Sequence, residues 1–115
     1  MKAVVCEAFG PYKNHQVKEI DAPKIKKGHV RVKVRAAGVN FPDILIVEGK
    51  YQLKPPFPFT PGSECAGVVT ELGEGVDSIA IGANVFFGAM HGAFAEEVVV
   101  PAVRCVELPA KMSFE

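Results

Sequence analysis

The sequence lacks a long apolar run, a signal-peptide pattern and an excess of charge of either sign. Nowhere do roughly 18 apolar residues stand together, as a membrane-spanning helix requires, and residues 1–9 contain no basic segment followed by an apolar stretch. Thirteen basic and thirteen acidic residues cancel, so no electrostatic field favours nucleic acid or an anionic membrane. We therefore expect a cytoplasmic protein that binds neither nucleic acid nor a membrane.

Cysteine is also scarce, and its three positions, Cys6, Cys65 and Cys105, lie far apart in the chain. None belongs to a C-x-x-C pair of the kind that holds structural zinc or forms a redox disulfide. We expect reduced and mostly buried thiols, because free cysteine usually packs as a small hydrophobe. The alternative is a reactive thiol, which would need a nearby cation or helix start to lower its pKa.

What the sequence does contain is a series of short strand patterns in a chain that is 49% hydrophobic. Its 115 residues can bury the core of one domain, residues 1–115. Glycine and proline turns separate most of the strand patterns, which cover residues 1–9, 17–21, 30–34, 64–72, 84–87, 94–100 and 103–108. The first two predict a hairpin. So many short strands predict a mainly β fold, either a barrel or a sandwich.

The third strand pattern has one charged face. Valines at positions 30, 32 and 34 alternate with Arg31, Lys33 and Arg35, which is the period of a strand with one face in water. We therefore expect these basic side chains to be solvated.

One helix is predicted, directly after Asn40. Pro42 suits the first helical turn, and Asp43 suits the positive end of the helix dipole. Gly49 ends the pattern after residues 44–48. The loop that follows contains prolines 55, 56, 58 and 61 together with phenylalanines 57 and 59, so it cannot form regular hydrogen-bonded structure and we expect it to be stiff and packed.

Two glycine-containing segments imitate functional motifs. Residues 73–78 fall one glycine short of a dinucleotide fingerprint, and no helical pattern follows them to meet a pyrophosphate. Residues 61–65 place a serine after a glycine but lack both outer glycines of the nucleophile elbow. We interpret the first as a turn, and serine hydrolase chemistry has no support.

The segments Gly38–Asp43 and Pro61–Glu64 carry a resemblance to a known superfamily, the medium-chain dehydrogenases and reductases. Its zinc alcohol dehydrogenases have a Gly-x-Cys-His-x-Asp stretch followed, after a proline-rich loop, by Pro-Gly-His-Glu. Here Asn40 replaces the cysteine and Ser63 replaces the histidine. An amide and a hydroxyl are poor ligands for zinc, which prefers thiolate and imidazole. The resemblance therefore implies no catalytic zinc and no other metal.

These replacements are similar to those of the zinc-free quinone oxidoreductase branch. Asn40, Asp43 and the segment 48–51 match its Asn-x-x-Asp and Gly-x-Tyr elements, and residues 67–69 and 92–97 extend the match. Two departures occur. Residues 82–85 read Gly-Ala-Asn-Val where the family has Gly-Asp-Arg-Val, and Leu45 stands where several members carry an active-site tyrosine.

The resemblance implies a GroES-like, partly open β-barrel with one or two short helices, the catalytic half of an NADPH-dependent enzyme. Such enzymes transfer a hydride from NADPH to a quinone or a conjugated enone, and the full-length enzyme is expected to be a homodimer. We expect a Rossmann domain, absent from this chain, to follow residue 115 and to bind most of the NADPH. On its own, the chain would then be inactive.

The resemblance also implies roles for five residues. Asn40 and Tyr51 would act as catalytic hydrogen-bond donors, and Asn40 and Asp43 would contact the cofactor. Tyr51, Glu64 and Phe87 would line the substrate pocket.

Simpler roles remain open for these residues and for the chain. Asn40 could be a helix cap without a catalytic role. Tyr51 could be a residue that packs its ring, and Asp43 could be a first-turn acid that interacts favourably with the helix dipole. Glu64 could be a surface carboxylate. The alternative function is a complete GroES-like binding or assembly module without redox activity, since a fold alone does not determine function.

Overall fold

The computed structural model describes all residues from Met1 to Glu115. It contains seven strands, one α-helix and two single-turn 3-10 helices. These are β1 (Lys2–Val5), β2 (Gln16–Glu19), β3 (His29–Ala37), α1 (Phe41–Val47), β4 (Glu64–Leu72), β5 (Asn84–Gly88), β6 (Glu97–Pro101) and β7 (Val106–Glu107), with the 3-10 turns at Tyr12–Asn14 and Ala102–Arg104. The prediction of one principal helix in a mainly β chain is confirmed.

The strands form two antiparallel sheets. A two-stranded sheet pairs β1 with β2, and a five-stranded sheet has the order β6-β3-β4-β5-β7. Residues 94–96 join the two sheets, since the backbone N–H of Val4 donates to the Phe94 carbonyl and that of Glu96 donates to the Lys2 carbonyl. The sheets do not close into a complete barrel, so the fold is the partly open one that was expected.

The main core lies on one face of the five-stranded sheet. The alternation in β3 places Val30 and Val32 there with no exposed surface, and Val69 and Val85 reach the same core from β4 and β5. Burial of each such side chain stabilises the fold by roughly 1.5–3 kcal/mol. The alternating sequence pattern therefore predicted both the strand and its buried face.

The expectation that Arg31 would be solvated is wrong. Its side chain is only 15% exposed, and its Nε donates to Glu71 Oε1 at 2.8 Å. On the other side, Nη1 lies 3.5 Å from Glu97 Oε2. Because β3 lies between β6 and β4, carboxylates from both neighbouring strands enclose Arg31, whereas Lys33 and Arg35 are exposed as expected.

A second, smaller core lies under α1 and the proline-rich loop. Its buried members are Cys6, Ile46, Val47 and Phe59. Backbone hydrogen bonds run in both directions between Cys6 and Phe59, at 2.8 and 3.0 Å. The expectation that this loop packs is confirmed at Phe59, while Phe57 remains 45% exposed.

Helix α1 begins one residue before the predicted start and ends as expected at a glycine. Gly49 has a φ of 73°, and its N–H donates to Ile46 O while Lys50 N–H donates to Leu45 O. This pair of bonds is the Schellman arrangement, which satisfies carbonyls at a helix C-terminus.

None of the helices has the length and apolar character that a membrane-spanning helix requires.

Several strand predictions were wrong in their bounds. β1 ends at Val5 rather than at residue 9. β6 begins at Glu97 rather than at residue 94, because residues 94–96 bond to β1 instead. The last pattern, residues 103–108, forms only β7, because a 3-10 turn occupies Ala102–Arg104 and Cys105 N–H closes it on the Ala102 carbonyl.

Candidate functional site

An open cleft forms where three adjacent strands end at the same edge of the sheet. Residues 36–38 end β3, residues 63–66 begin β4, and residues 86–88 end β5. Together with the C-terminal residues 112–115 they line a cavity of about 750 Å³. Antiparallel pairing places Glu64 opposite Gly88 and Cys65 opposite Phe87. The cleft therefore collects residues that are far apart in the sequence.

Glu64 supplies one carboxylate of the cleft, and Glu115 also lines it. A Cβ built on Gly38 would overlap the Glu64 Oε1 atom, so glycine at position 38 allows this carboxylate to lie directly against the backbone. The Gly38 N–H also donates to the Glu64 carbonyl at 3.3 Å. Glu64 itself is exposed, which leaves its charge accessible to a ligand.

Phe87 forms the apolar base of the cleft and is only 3% exposed. Next to it, burial raises the pKa of the Cys65 thiol to about 12, and the neighbouring Cys105 contributes to this shift. Burial likewise raises the pKa of Cys105 to about 11. Both thiols are therefore protonated at neutral pH and act as packing groups, as expected, rather than as nucleophiles.

Asn40 and Asp43 lie at the start of α1, two residues beyond the Gly38 edge of the cleft. Asn40 is the N-cap residue, and its backbone N–H donates to Asp43 Oδ2 at 2.8 Å. Asp43 is only 3% exposed, and its Oδ1 atom has no hydrogen-bond partner. The carboxylate of Asp43 thus holds the backbone of Asn40 and does not use its side-chain amide.

Tyr51 lies beyond the other end of α1. It is half-buried and packs against the smaller core, and its backbone carbonyl accepts a hydrogen bond from Lys54 Nζ at 3.0 Å. It does not line the 750 Å³ cleft. The structure therefore brings Asn40 with Asp43 and Glu64 with Phe87, and Tyr51 stands apart from both pairs.

Several residues line the cleft without having been assigned to a pocket from the sequence. From the sequence, Ser63 was considered only as the replacement of a zinc ligand and as the serine of an incomplete nucleophile elbow. Phe86, Gly88 and Phe114 carried no signal. Phe114 lies under the Arg35 guanidinium, 5.3 Å from ring centroid to Cζ. Only the pairing of the strand ends places these residues at one cavity. No group of three or more His, Cys, Asp or Glu side chains is arranged to hold a metal ion.

Comparison with known proteins gives a consistent result. Residues 26–110 match the family model of the alcohol dehydrogenase GroES-like domain. The human synaptic vesicle membrane protein VAT-1 homolog is 37% identical over 117 residues, which are 100% of this chain and 30% of that protein. A quinone oxidoreductase-like protein 2 homolog from Nematostella vectensis is 38% identical over 114 residues, covering 98% of this chain and 31% of that protein.

A solved structure agrees as well. The quinone oxidoreductase of Escherichia coli, complexed with NADPH, matches with a TM-score of 0.93 and 29% identity, covering 99% of this chain and 35% of that one.

The fold and the cleft thus define a GroES-like domain of the medium-chain dehydrogenase/reductase class, which confirms the resemblance. The chain belongs to the alcohol dehydrogenase GroES-like domain family. It spans less than a third of the length of the human and Nematostella relatives, and it matches the N-terminal domain of quinone oxidoreductase-like proteins. Some of the proteins it resembles are named oxidoreductases, among them the Nematostella relative and the Escherichia coli structure.

Proposed function

We propose that this chain forms one wall of an NADPH-dependent site that reduces a quinone or a conjugated enone, and that a Rossmann domain forms the opposite wall. The observation that carries this proposal is the open cleft of about 750 Å³ beside the capped start of α1. The cleft has an apolar base and the accessible carboxylates of Glu64 and Glu115, and Asn40 lies two residues beyond its Gly38 edge. Small-molecule sites usually combine an apolar lining with a few such polar groups.

The residues at the cleft fit a flat cofactor ring on this wall. Because Gly38 has no side chain, the Glu64 carboxylate occupies the space beside the backbone that a Cβ would fill. Asn40 and Asp43 would hold the cofactor edge, Asn40 through its amide and Asp43 by fixing the Asn40 backbone. NADPH, when bound, supplies the hydride for the reduction.

The chain's own polar groups would stabilise charge that develops on the substrate oxygen. Hydrogen-bond donors positioned in advance perform this task in the absence of a metal. We assign it to the Asn40 amide and to the Tyr51 hydroxyl, which would have to reach the substrate from the far end of α1. Glu64 and Phe87 would line the substrate pocket.

Several wider features belong to the same proposal. Asn40 and Ser63 stand at the positions of two zinc ligands, so the reaction would proceed without zinc. The partner is a small molecule, the full-length enzyme is a homodimer, and the protein acts in the cytoplasm without binding nucleic acid or membrane.

The test is an assay of NADPH consumption with a benzoquinone or an enone as acceptor. We expect no consumption by the 115-residue chain, which has no phosphate-binding loop, and steady consumption once a dinucleotide-binding domain follows it in one polypeptide. Equal rates for the two proteins, or no activity in the joined protein, would contradict the proposal. An inactive joined protein would favour the binding-module alternative.

A further inference from the structure

A second cavity lies outside the cleft, between the proline-rich loop and the segment before β6. It has a volume of about 530 Å³, within the range of roughly 300–1,000 Å³ that is usual for small-molecule sites. We call it the loop cavity. Its wall on the loop side consists of Pro56, Pro58, Phe59 and Thr60, and Met90 and His91 face them.

The wall of the loop cavity is stiffened by a series of ring contacts. The Phe9 and Phe57 rings are 4.7 Å apart, Phe57 and Phe59 are 5.8 Å apart, and Phe59 and His91 are 6.0 Å apart. Phe59 is fixed further by its backbone bonds to Cys6. Such contacts are favourable beyond simple burial, so the apolar wall exists before any ligand binds.

Phe87 is shared by the two cavities. Its side chain lines both the loop cavity and the cleft. Of the next two residues, Gly88 lines the cleft and Ala89 lines the loop cavity. The two spaces therefore share Phe87 as a lining residue.

We propose that the loop cavity binds the apolar chain of a substrate whose ring occupies the cleft. This rests on the proposed function and narrows its substrate class to quinones or enones that carry an aliphatic or prenyl chain. The lining suits such a chain, because proline, phenylalanine and methionine side chains offer it apolar contact. The charged residues Asp21, Glu97 and Arg104 also line the cavity, and an aliphatic substituent offers none of them a complementary charge.

The test compares the affinities of two benzoquinones that differ only in one substituent, a ten-carbon alkyl chain or a methyl group. Calorimetry on the 115-residue chain, without NADPH, gives both dissociation constants. We expect the alkyl compound to bind about tenfold more tightly or better, since even one methylene in an apolar pocket can be worth about tenfold.

Two matched variants assign this preference to the loop cavity. Met90 is 61% exposed and Ile81 is 64% exposed, so an aspartate is tolerable at either position, but only Met90 lines the cavity. Met90→Asp should bring the affinity ratio towards one, and Ile81→Asp should leave it unchanged.

A ratio near one in the unmodified chain, or a ratio that Met90→Asp does not lower, would overturn the assignment. Failure of the proposed function is distinguishable from this, because it appears as absence of NADPH consumption in the joined protein. The affinity ratio is measured without cofactor and does not depend on that result.

Discussion

Two glycines have different structural roles, one in the packing of two strands and one in the position of a carboxylate at the cleft. A Cβ on Gly67 would overlap the Lys33 backbone carbonyl of the neighbouring strand. A Cβ on Gly38 would instead overlap the tip of the flexible Glu64 side chain. Glycine at position 67 is therefore required by the packing of β3 against β4, and glycine at position 38 by the position of a carboxylate.

This difference predicts unequal stabilities for two alanine variants. Gly67→Ala should lower the free energy of unfolding by about 2 kcal/mol, as for other overpacked sites. Gly38→Ala should change it by less than about 0.5 kcal/mol, since the Glu64 side chain can swing into solvent. Urea denaturation measures both free energies of unfolding. Equal losses would contradict the distinction between a contact with backbone at position 67 and a contact with a movable side chain at position 38.

Asp43 is the one buried carboxylate of the chain, and its bond to Asn40 predicts a capping role. Asp43→Ala should destabilise the fold by about 1–2 kcal/mol, because the Asn40 N–H loses its acceptor. Asp43→Asn keeps an oxygen acceptor and should lose less. Thermal unfolding of both variants tests this, and identical losses would argue that the hydrogen bond to Asn40 contributes nothing.

The raised pKa of Cys65, about 12 against an ordinary value of 9.0, predicts a loss of stability in alkali. Above pH 9 the unfolded chain releases this proton while the folded state keeps it, so the free energy of unfolding falls as the pH rises. The expected contribution is about 1.4 kcal/mol per pH unit between pH 9 and pH 11.

Cys65→Ala serves as the control for this decline. The variant should lose stability more slowly with pH over the same interval, because the buried Cys65 thiol is gone while Cys6 and Cys105, whose pKa values burial also raises, remain. Denaturant unfolding at several pH values gives both slopes. Parallel slopes would mean that Cys65 ionises normally in the folded protein.

At the scale of elements, local sequence signals worked where local geometry decides the structure. β4 spans the predicted residues, Glu64–Leu72, because turn residues delimit its apolar pattern on both sides. Helix α1 formed between its cap and its terminal glycine. The signals failed at Arg31 and at residues 94–96, whose partners lie on strands distant in the sequence and leave no trace in the local pattern.

The end of α1 allows a prediction about an element boundary. Gly49 and Gly82 have positive φ values of 73° and 91°, but only a Cβ on Gly49 would meet a neighbour, the ring of Phe9. Gly82→Ala should cost about 1 kcal/mol from backbone strain. Gly49→Ala should cost at least about 1 kcal/mol more, since the Phe9 ring must also move. Chemical denaturation measures the free energy of unfolding of both variants. Equal losses would show that the contact with Phe9 does not add to the cost of Gly49→Ala.

At the scale of the whole molecule, the sequence predicted the class of fold but not the shape of the site. The substitutions at Asn40 and Ser63 indicated the branch of the superfamily, and the comparisons support the family. The cleft itself depends on strand register, which sets Glu64 beside Gly88 and Phe87 beside Cys65. Tyr51 remains a predicted pocket residue, and its packing against the smaller core is a tertiary contact that its motif does not encode.

The measurement that tests the central proposal most directly is the kcat/KM of the Asn40→Ser variant, in the chain joined to a dinucleotide-binding domain. Serine is a good N-cap residue, so α1 should remain formed, but the amide donor is lost. We expect unchanged thermal stability and a fall in kcat/KM of about 100-fold, as for removal of one donor to a developing oxyanion. Asn84→Ser, at an exposed position on β5, should retain full activity. Full activity in Asn40→Ser would contradict the proposal that this wall of the cleft takes part in the reaction.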